Sequence, residues 1–283
     1  NPKPQTPPAA GGSGSHSYFA KKGELNEVKK QVRALREKPS AGAEELVELM
    51  KKVVGLTTAG VDLSPLFNDV VALSHTDSLV AKKLIYLFVT GHAELNAESA
   101  VMCVNTFLKD CQSRDGRIRG LALRSLCGLR AAGAADYAQS AVVELLGDRD
   151  PYVRKVAVLG ALRLWRDSPD FFERHQLADR LYNLVKDPSR AVAVAAINAL
   201  EEALAGEGGM AVNHRMLVYL LNRLGDFNAF EQQTVLRLLR RFEPRGEEEL
   251  FNTLGLLDDL LRRGGHALSA AVLAVFVELA ADR

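Results

Sequence analysis

The segment Gly147–Trp165 constrains the fold more than any other part of the chain, because it contains both a helix start and a one-sided apolar pattern. Asp150 is suited to cap a helix, since its carboxylate can accept the unpaired N–H groups of the first turn. Pro151 fits the first helical position, where its missing N–H costs nothing. The residues that share one helical face are small or apolar, and they are Val153, Val156, Ala157, Gly160, Ala161 and Leu164. This segment is therefore predicted to be a buried helix that a neighbouring helix can approach closely.

Similar segments lie on both sides of this helix, each beginning in a turn that contains an aspartate. The equivalent apolar positions are spaced 38, 35 and 39 residues apart, and they are Val80, Ile118, Val153 and Val192. A period near 40 residues with two helices per unit is typical of HEAT and armadillo repeats. The sequence therefore predicts an all-α, HEAT/armadillo-like α-solenoid of about seven helical hairpins. Asp62–Leu73 and Phe171–Val185 are each predicted to be one uninterrupted helix.

The two ends of the chain differ from its middle. Residues 1–17 are rich in Pro, Gly, Ser and Ala, and this composition predicts a disordered N-terminal arm. Residues 18–283 are predicted to form one helical-repeat domain. Because the last segment resembles a helix without a capping unit, we expect this domain to be truncated at its C-terminal end.

Composition and residue spacing argue against several functional classes. A formal net charge of +1 is unlike that of a protein that binds nucleic acid through bulk electrostatics. The three cysteines lack the paired spacing of a disulfide framework and are predicted to be buried thiols. The six histidines lack the i, i+4 spacing of a metal site and are predicted to be surface or turn residues. We therefore expect a protein that is not an enzyme, with no catalytic residues, no metal site and no cofactor.

Two arginines occupy the same repeat position, directly after the apolar anchor. Arg119 and Arg154 are predicted to pair with the acidic turns at Asp115 and Asp150, in their own or an adjacent unit. A repeated register favours this structural role over ligand binding. The next unit has Ala193 at this position, so the arginine series is predicted to end there.

Several blocks of the sequence resemble one protein family. The blocks Thr58–Phe67, Lys82–Leu87, Val104–Cys111 and Asp150–Arg154 resemble, in order, the trunk of a beta-adaptin, the large beta subunit of a heterotetrameric adaptor-protein coat. The resemblance covers nearly all of the chain from Tyr18 onward. Further blocks are most similar to the beta subunit of the fourth adaptor complex, and they include Arg119–Cys127, Val156–Gly160, Leu200–Leu204 and Arg245–Phe251.

This resemblance implies a non-enzymatic coat subunit in vesicle-mediated intracellular protein transport. The implied partners are a second large subunit, a medium subunit and a small subunit, together with an Arf-type GTPase in its GTP form. The implied location is cytoplasmic, peripheral on trans-Golgi network or endosomal membranes, without nucleic acid as a partner. The alternatives are the beta subunit of another, clathrin-associated adaptor complex and an unrelated HEAT-repeat scaffold or transport receptor.

The resemblance also implies three contact sites. An Arf contact is implied at Leu87, Val101 and Val104, although apolar residues of a helical repeat are usually part of the core. An acidic-lipid contact is implied at Lys21, Lys22, Lys29 and Lys30, for which the alternative is a solvated helix face. Tyr18 and Phe19 resemble an aromatic pair that plugs the dileucine-cargo pocket of the small subunit, and the alternative is packing against the first helix.

Overall fold

The computed structural model describes residues 14–37, 42–131, 133–263 and 266–281, and these ranges contain α-helices and short 3₁₀ turns but no β-strand. The helices are α1 (Gly14–Glu37), α2 (Ala43–Thr58), α3 (Phe67–Ala72), α4 (Leu79–His92), α5 (Ala97–Cys111), α6 (Gly116–Gly128), α7 (Ala134–Leu145), α8 (Pro151–Asp167), α9 (Asp170–Arg174), α10 (Leu177–Leu184), α11 (Arg190–Ala203), α12 (His214–Asn222), α13 (Ala229–Leu239), α14 (Glu247–Arg263) and α15 (His266–Ala281). The prediction of an all-α, HEAT/armadillo-like repeat fold is confirmed. With α9 and α10 taken as one interrupted helix, the helices form the seven predicted hairpins.

The chain divides into two compact units, and the boundary falls within α5. Among the described residues, the first unit comprises those up to 106 together with 129–131, and the second comprises 107–128 together with those from 133 onward. In the first unit α1 packs on α2 and α3, while α4 packs on α2 and α3. The inward face of α2 follows helical spacing, with Leu46, Leu49, Met50, Val53 and Leu56 all buried.

The helices of the second unit pack in two layers. In one layer α6 packs on α8, α8 on α11, α11 on α13 and α13 on α15. The other layer supplies α7, which packs on α6 and α8, and later α10, α12 and α14, which pack on the helices of the first layer. Each hairpin thus buries its apolar stripe against its own partner and against its neighbours, as helical repeats require.

Helix α8 follows the sequence prediction in detail. The Asp150 carboxylate accepts a hydrogen bond from the Tyr152 N–H at 2.9 Å, and Pro151 occupies the first turn. All six residues of the predicted apolar face are buried. Gly160 permits the close approach, because a Cβ placed there would lie 2.9 Å from the Cys127 Sγ and 3.1 Å from a Val142 methyl group.

Helix starts and breaks differ from the prediction at several points. Phe171–Val185 is two helices, because Gln176 adopts a left-handed φ of 49° between α9 and α10. Asp62–Leu73 begins as a 3₁₀ turn at Ser64–Leu66 before α3. Val80 is 51% exposed, whereas Ala81 is fully buried. The Ser78 hydroxyl caps α4, so the position three residues after the cap, which Val153 occupies in α8, is Ala81.

The N-terminal boundary also differs. Helix α1 begins at Gly14, so residues 14–17 are helical instead of belonging to the predicted disordered arm. The rest of that arm, residues 1–13, lies outside the described residues.

Candidate functional site

The exposed large apolar side chains described in the first unit lie on α4, in the turn that follows it and on α5. They are Val80, Leu87, Leu95, Val101 and Met102, with exposed fractions of 51%, 58%, 72%, 37% and 74%. We call these five residues the α4–α5 surface. Exposed apolar side chains that share a surface can bind a partner, so these five are candidates for a protein contact.

The α4 part of this surface follows from helical spacing. Val80 and Leu87 are seven residues apart and therefore share one face. The buried face of α4 carries Ala81, Ile85 and Phe88 instead. The predicted contact residue Leu87 is therefore not part of the core and is available to a partner.

The predicted contact residues on α5 differ in burial. Val104 is only 2% exposed and shares the buried side of α5 with Ala100 and Cys103, so it lies in the core and not on the α4–α5 surface. Met102 is the most exposed residue of the surface and was missed by the sequence analysis. The signal was present, because Met102 falls on the polar side of α5 with Glu98 and Asn105.

The end of α4 is held by a buried histidine. His92 is 6% exposed, its Nδ1 lies 2.9 Å from the Phe88 carbonyl oxygen, and its ring stacks on Phe88 with centroids 4.1 Å apart. The expectation of a surface or turn residue is therefore wrong for His92. This packing stabilises the last turn of α4.

The other two predicted contact sites are described only in part. Lys30 is exposed and Lys29 is half-buried, both on α1. The side chains of Lys21 and Lys22, and those of the predicted plug residues Tyr18 and Phe19, lie outside the described part. Near the end of α1, Arg33 and Arg36 both bind the Asp69 carboxylate, at 3.4 and 2.5 Å.

The repeated arginines are structural, and their acidic partners differ from the prediction. Arg119 donates Nε and Nη2 to the Asp148 carboxylate at 2.8 and 2.7 Å. Arg154 makes the same forked contact with Asp187, at 2.7 and 2.8 Å. The expected partners Asp115 and Asp150 instead accept backbone N–H groups at the starts of α6 and α8. Their carboxylates are thus engaged in turn and cap contacts.

The same register continues beyond Arg154. Arg119 and Arg154 also donate to the carbonyl oxygens five and six residues before them. Ala193 lacks a donor, and the two equivalent carbonyls, of Asp187 and Pro188, accept hydrogen bonds from Arg223 at 2.9 and 2.8 Å. These interactions explain the arginine series without a ligand.

Burial and hydrogen bonding have opposite effects on the pKa of the Asp148 carboxyl group, which pairs with Arg119. Burial raises the pKa of Asp148, but the hydrogen bonds from Arg119 and from the Asp150 N–H outweigh it and hold the pKa below its usual value.

The prediction of buried thiols is confirmed for Cys103, Cys111 and Cys127. Burial raises their pKa values to about 11, 12 and 12 respectively, which makes them poor nucleophiles.

We also searched the described ranges for metal-binding groups, membrane-spanning helices and clefts. No group of three or more His, Cys, Asp or Glu side chains in these ranges is placed to hold a metal ion. None of the described helices is both long enough and apolar enough to cross a bilayer. An open cleft of about 470 Å³ lies in the first unit, with Leu35, Arg36, Leu46, His75 and Asp77 among its lining residues.

Comparison with known proteins places these features in a family context. Residues 24–282 match the family model described as the adaptin N terminal region. The chain is 38% identical over 232 residues to AP-4 complex subunit beta-1 of Mus musculus, covering 82% of this chain and 31% of that protein. It is 31% identical over 269 residues to AP-4 complex subunit beta of Dictyostelium discoideum, covering 94% of this chain and 31% of that protein. The chain thus spans about a third of the length of these relatives.

A structural comparison agrees with the fold. A homology model of the full-length AP-3 complex in an intermediate open conformation contains a chain that aligns with a TM-score of 0.58 at 18% sequence identity. The alignment covers 94% of this chain and 48% of that one. At this level of identity the match shows a shared fold.

Proposed function

The chain belongs to the adaptin N-terminal family, its relatives include beta subunits of adaptor complexes, and on this premise we propose that it works as the trunk of such a subunit. In this role it is a non-enzymatic scaffold in vesicle-mediated protein transport, bound to a second large subunit, a medium subunit and a small subunit. The observation that carries this proposal is the family match across residues 24–282. The similarity to two AP-4 beta subunits favours the fourth adaptor complex over a clathrin-associated one.

The proposed location is the cytoplasmic side of trans-Golgi network or endosomal membranes, with recruitment by an Arf-type GTPase in its GTP form. Within this proposal the α4–α5 surface is the GTPase contact. Leu87 and Met102 are 58% and 74% exposed, although both are large apolar side chains. Burying such side chains against a partner contributes about 1.5–3 kcal/mol each. Lys21, Lys22, Lys29 and Lys30 are proposed to touch acidic lipids, and Tyr18 and Phe19 to reach the small subunit.

The GTPase contact can be tested by pulldown with Arf locked in its GTP or GDP form. We expect the unchanged chain to bind the GTP form selectively. Leu87→Glu and Met102→Glu should each reduce that binding at least tenfold, because a carboxylate would be desolvated at the contact. Circular dichroism shows whether each variant keeps its helices.

Phe230→Glu is the matched control, because Phe230 is 88% exposed but lies on α13 in the second unit. It should bind like the unchanged chain. Equal binding of both nucleotide forms, or an equal loss in the control, would remove the assignment of the α4–α5 surface. Co-expression with the other three adaptor subunits then tests the scaffold role separately, since that role requires only a stable complex.

A further inference from the structure

Helices α6 and α8 carry many cations and almost no acids. Between them they contain seven arginine and lysine residues, whereas their only acidic residue is Asp167 at the end of α8. The chain as a whole has a net charge of only +1, so this charge is a local feature. Arg119 and Arg154 are committed to the aspartates described above, and the other five cations are exposed.

The exposed residues of the two helices form one face. On α6 they follow helical spacing as Arg117, the half-buried Leu121 and Arg124. On α8 the corresponding exposed series is Tyr152, Lys155, Leu159 and Arg163. Cations and apolar side chains alternate along both helices. We call these seven residues the α6–α8 face.

The two helices hold this face together through a close contact. A Cβ at Gly120 would lie 2.3 Å from the Tyr152 ring, so the ring rests directly against the backbone of α6. Tyr152 as a whole remains 43% exposed, and Leu159 is 50% exposed. Helix α7 packs on both α6 and α8 and contributes to burying their inward-facing residues. The α6–α8 face therefore has a fixed geometry before any partner binds.

Three cations of the face have no acidic partner within the described residues. Arg117 pairs with Asp115, and Arg166 beside the face pairs with Glu202. Arg124, Lys155 and Arg163 make no ion pair with any acidic side chain that the structure describes. Their positive charge is therefore not neutralised within this part of the chain.

We propose that the α6–α8 face binds an acidic segment of a partner protein, with an apolar side chain between two carboxylates. Lys155 and Arg163 are eight residues apart on α8, which corresponds to about 12 Å along the helix. An extended peptide covers this distance in about four residues, at roughly 3.3 Å per residue. A segment with the pattern Glu-x-Leu-x-Glu thus places its carboxylates near both cations and its leucine near Leu159.

The composition of the face favours a protein partner over a membrane or a nucleic acid. Arginine and tyrosine are enriched at protein interfaces, and the apolar side chains here lie between the cations. Charge complementarity of this kind steers association and selects the partner. A nucleic acid backbone would pair only with the cations of the face and would leave Leu121 and Leu159 uncovered. The headgroups of a bilayer do not place an apolar side chain between two anions, as a peptide can.

The proposal is tested with the whole 283-residue chain and a fluorescein-labelled peptide, Gly-Ser-Glu-Ser-Leu-Ser-Glu-Ser-Gly, by fluorescence anisotropy in low salt. A peptide with glutamine in place of both glutamates is the matched probe. We expect binding of the acidic peptide only, and a loss of about tenfold or more in the combined variant Arg124→Glu, Lys155→Glu and Arg163→Glu. Leu159→Ser should weaken binding severalfold without changing its salt dependence.

A charge-matched variant serves as the control. Lys52→Glu, Lys109→Glu and Lys186→Glu make the same change of net charge at exposed positions outside the face, and this variant should bind within twofold of the unchanged chain. Equal weakening in both combined variants would overturn the proposal. Binding of phosphatidylserine vesicles or of oligo-dT that depends on the three α6–α8 cations, without binding of the acidic peptide, would also overturn it. The outcome is independent of the GTPase test, because the two surfaces share no residue.

Discussion

Arg119 and Asp148 form a forked ion pair in which both side chains are more than nine-tenths buried, at 7% and 8% exposed. The Arg119 guanidinium also donates to the Ser113 and Arg114 carbonyl oxygens, at 2.9 and 3.1 Å. A buried charge pair is stabilising relative to either partner left alone, because the remaining ion would be desolvated without compensation. This pair therefore joins the turn before α6 to the turn before α8.

Removal of Arg119 should destabilise the fold strongly. We expect Arg119→Ala to lower the free energy of unfolding by about 3–5 kcal/mol, because it leaves the Asp148 carboxylate buried and unpaired. Arg117→Ala is the matched control, since Arg117 makes a similar forked contact with Asp115 while 72% exposed. The control should lose at most about 1 kcal/mol in urea unfolding. Equal losses in the two variants would contradict the structural role of the buried pair.

The same pair predicts a pH dependence. The pKa of Asp148 is lowered in the folded state. Its contribution to stability is therefore complete above the pKa of the unfolded chain, about 3.9, and disappears as the pH falls through the lower pKa of the folded chain. The stability difference between the unchanged chain and Asp148→Asn should therefore shrink as the pH is lowered from about 6 to 3. Urea unfolding at several pH values measures it, and a constant difference would contradict this prediction.

The repeat pattern could be predicted from the sequence because it depends on local chemistry. The cap at Asp150 and the buried face of α8 both follow from the capping residue and from helical spacing. The exposed face of α4 could be found in the same way. The alignment of Val80 with Val153 is wrong because Val80 lies three residues after Asp77, whereas the α4 cap is Ser78, which places Ala81 at that position.

Tertiary features could not be predicted in this way. No glycine or proline marks the break at Gln176, and the residue adopts φ 49° while Phe171, Phe172 and Leu177 around it are buried. The arginine partners were misassigned because a cap aspartate and a pairing aspartate are two residues apart and look alike in sequence. Which of them an arginine reaches depends on how adjacent repeats stack.

Arg223 donates to the two carbonyl oxygens, of Asp187 and Pro188, that an arginine at position 193 would reach. Arg223→Ala should lower the free energy of unfolding by about 1–2 kcal/mol, because the Asp187 and Pro188 carbonyl oxygens lose their charged donor. Arg166→Ala is the comparison, since it removes an exposed pair with Glu202 and should cost less than about 1 kcal/mol. Thermal unfolding of both variants gives the comparison, and an Arg223→Ala variant as stable as the parent chain would contradict this role.

The three buried thiols should react slowly in the folded chain. At pH 8 a thiol with a pKa of about 11 or 12 is ionised to about a thousandth or less, so disulfide-exchange reagents find little thiolate. Labelling with Ellman's reagent should be at least a hundredfold slower than at an added exposed cysteine, Ser140→Cys. In urea, where the chain is unfolded, Ellman's reagent should label all three thiols rapidly. Rapid native labelling of any of them would show that its burial is incomplete.

The contact between Gly120 and Tyr152 should make α6 sensitive to a single methyl group. In Gly120→Ala the new Cβ would overlap the Tyr152 ring at 2.3 Å, so the ring must swing outward or the helices must separate. We expect a loss of about 1–3 kcal/mol, as for other overpacked sites. Gly128→Ala is the control on the same helix, because its Cβ would meet nothing within 4 Å and the helix gains intrinsic propensity.

A double variant separates steric overlap from a simple backbone effect. Tyr152→Ala removes the ring, so Gly120→Ala should then become neutral or stabilising, with a coupling of about 1 kcal/mol or more in a double-mutant cycle. If Gly120→Ala costs the same in both backgrounds, the ring does not rest on α6 as described. The same cycle bears on the α6–α8 face, because Tyr152 is one of its seven residues and a displaced ring would change that face. Gly120→Ala should therefore weaken acidic-peptide binding, while Gly128→Ala leaves it unchanged.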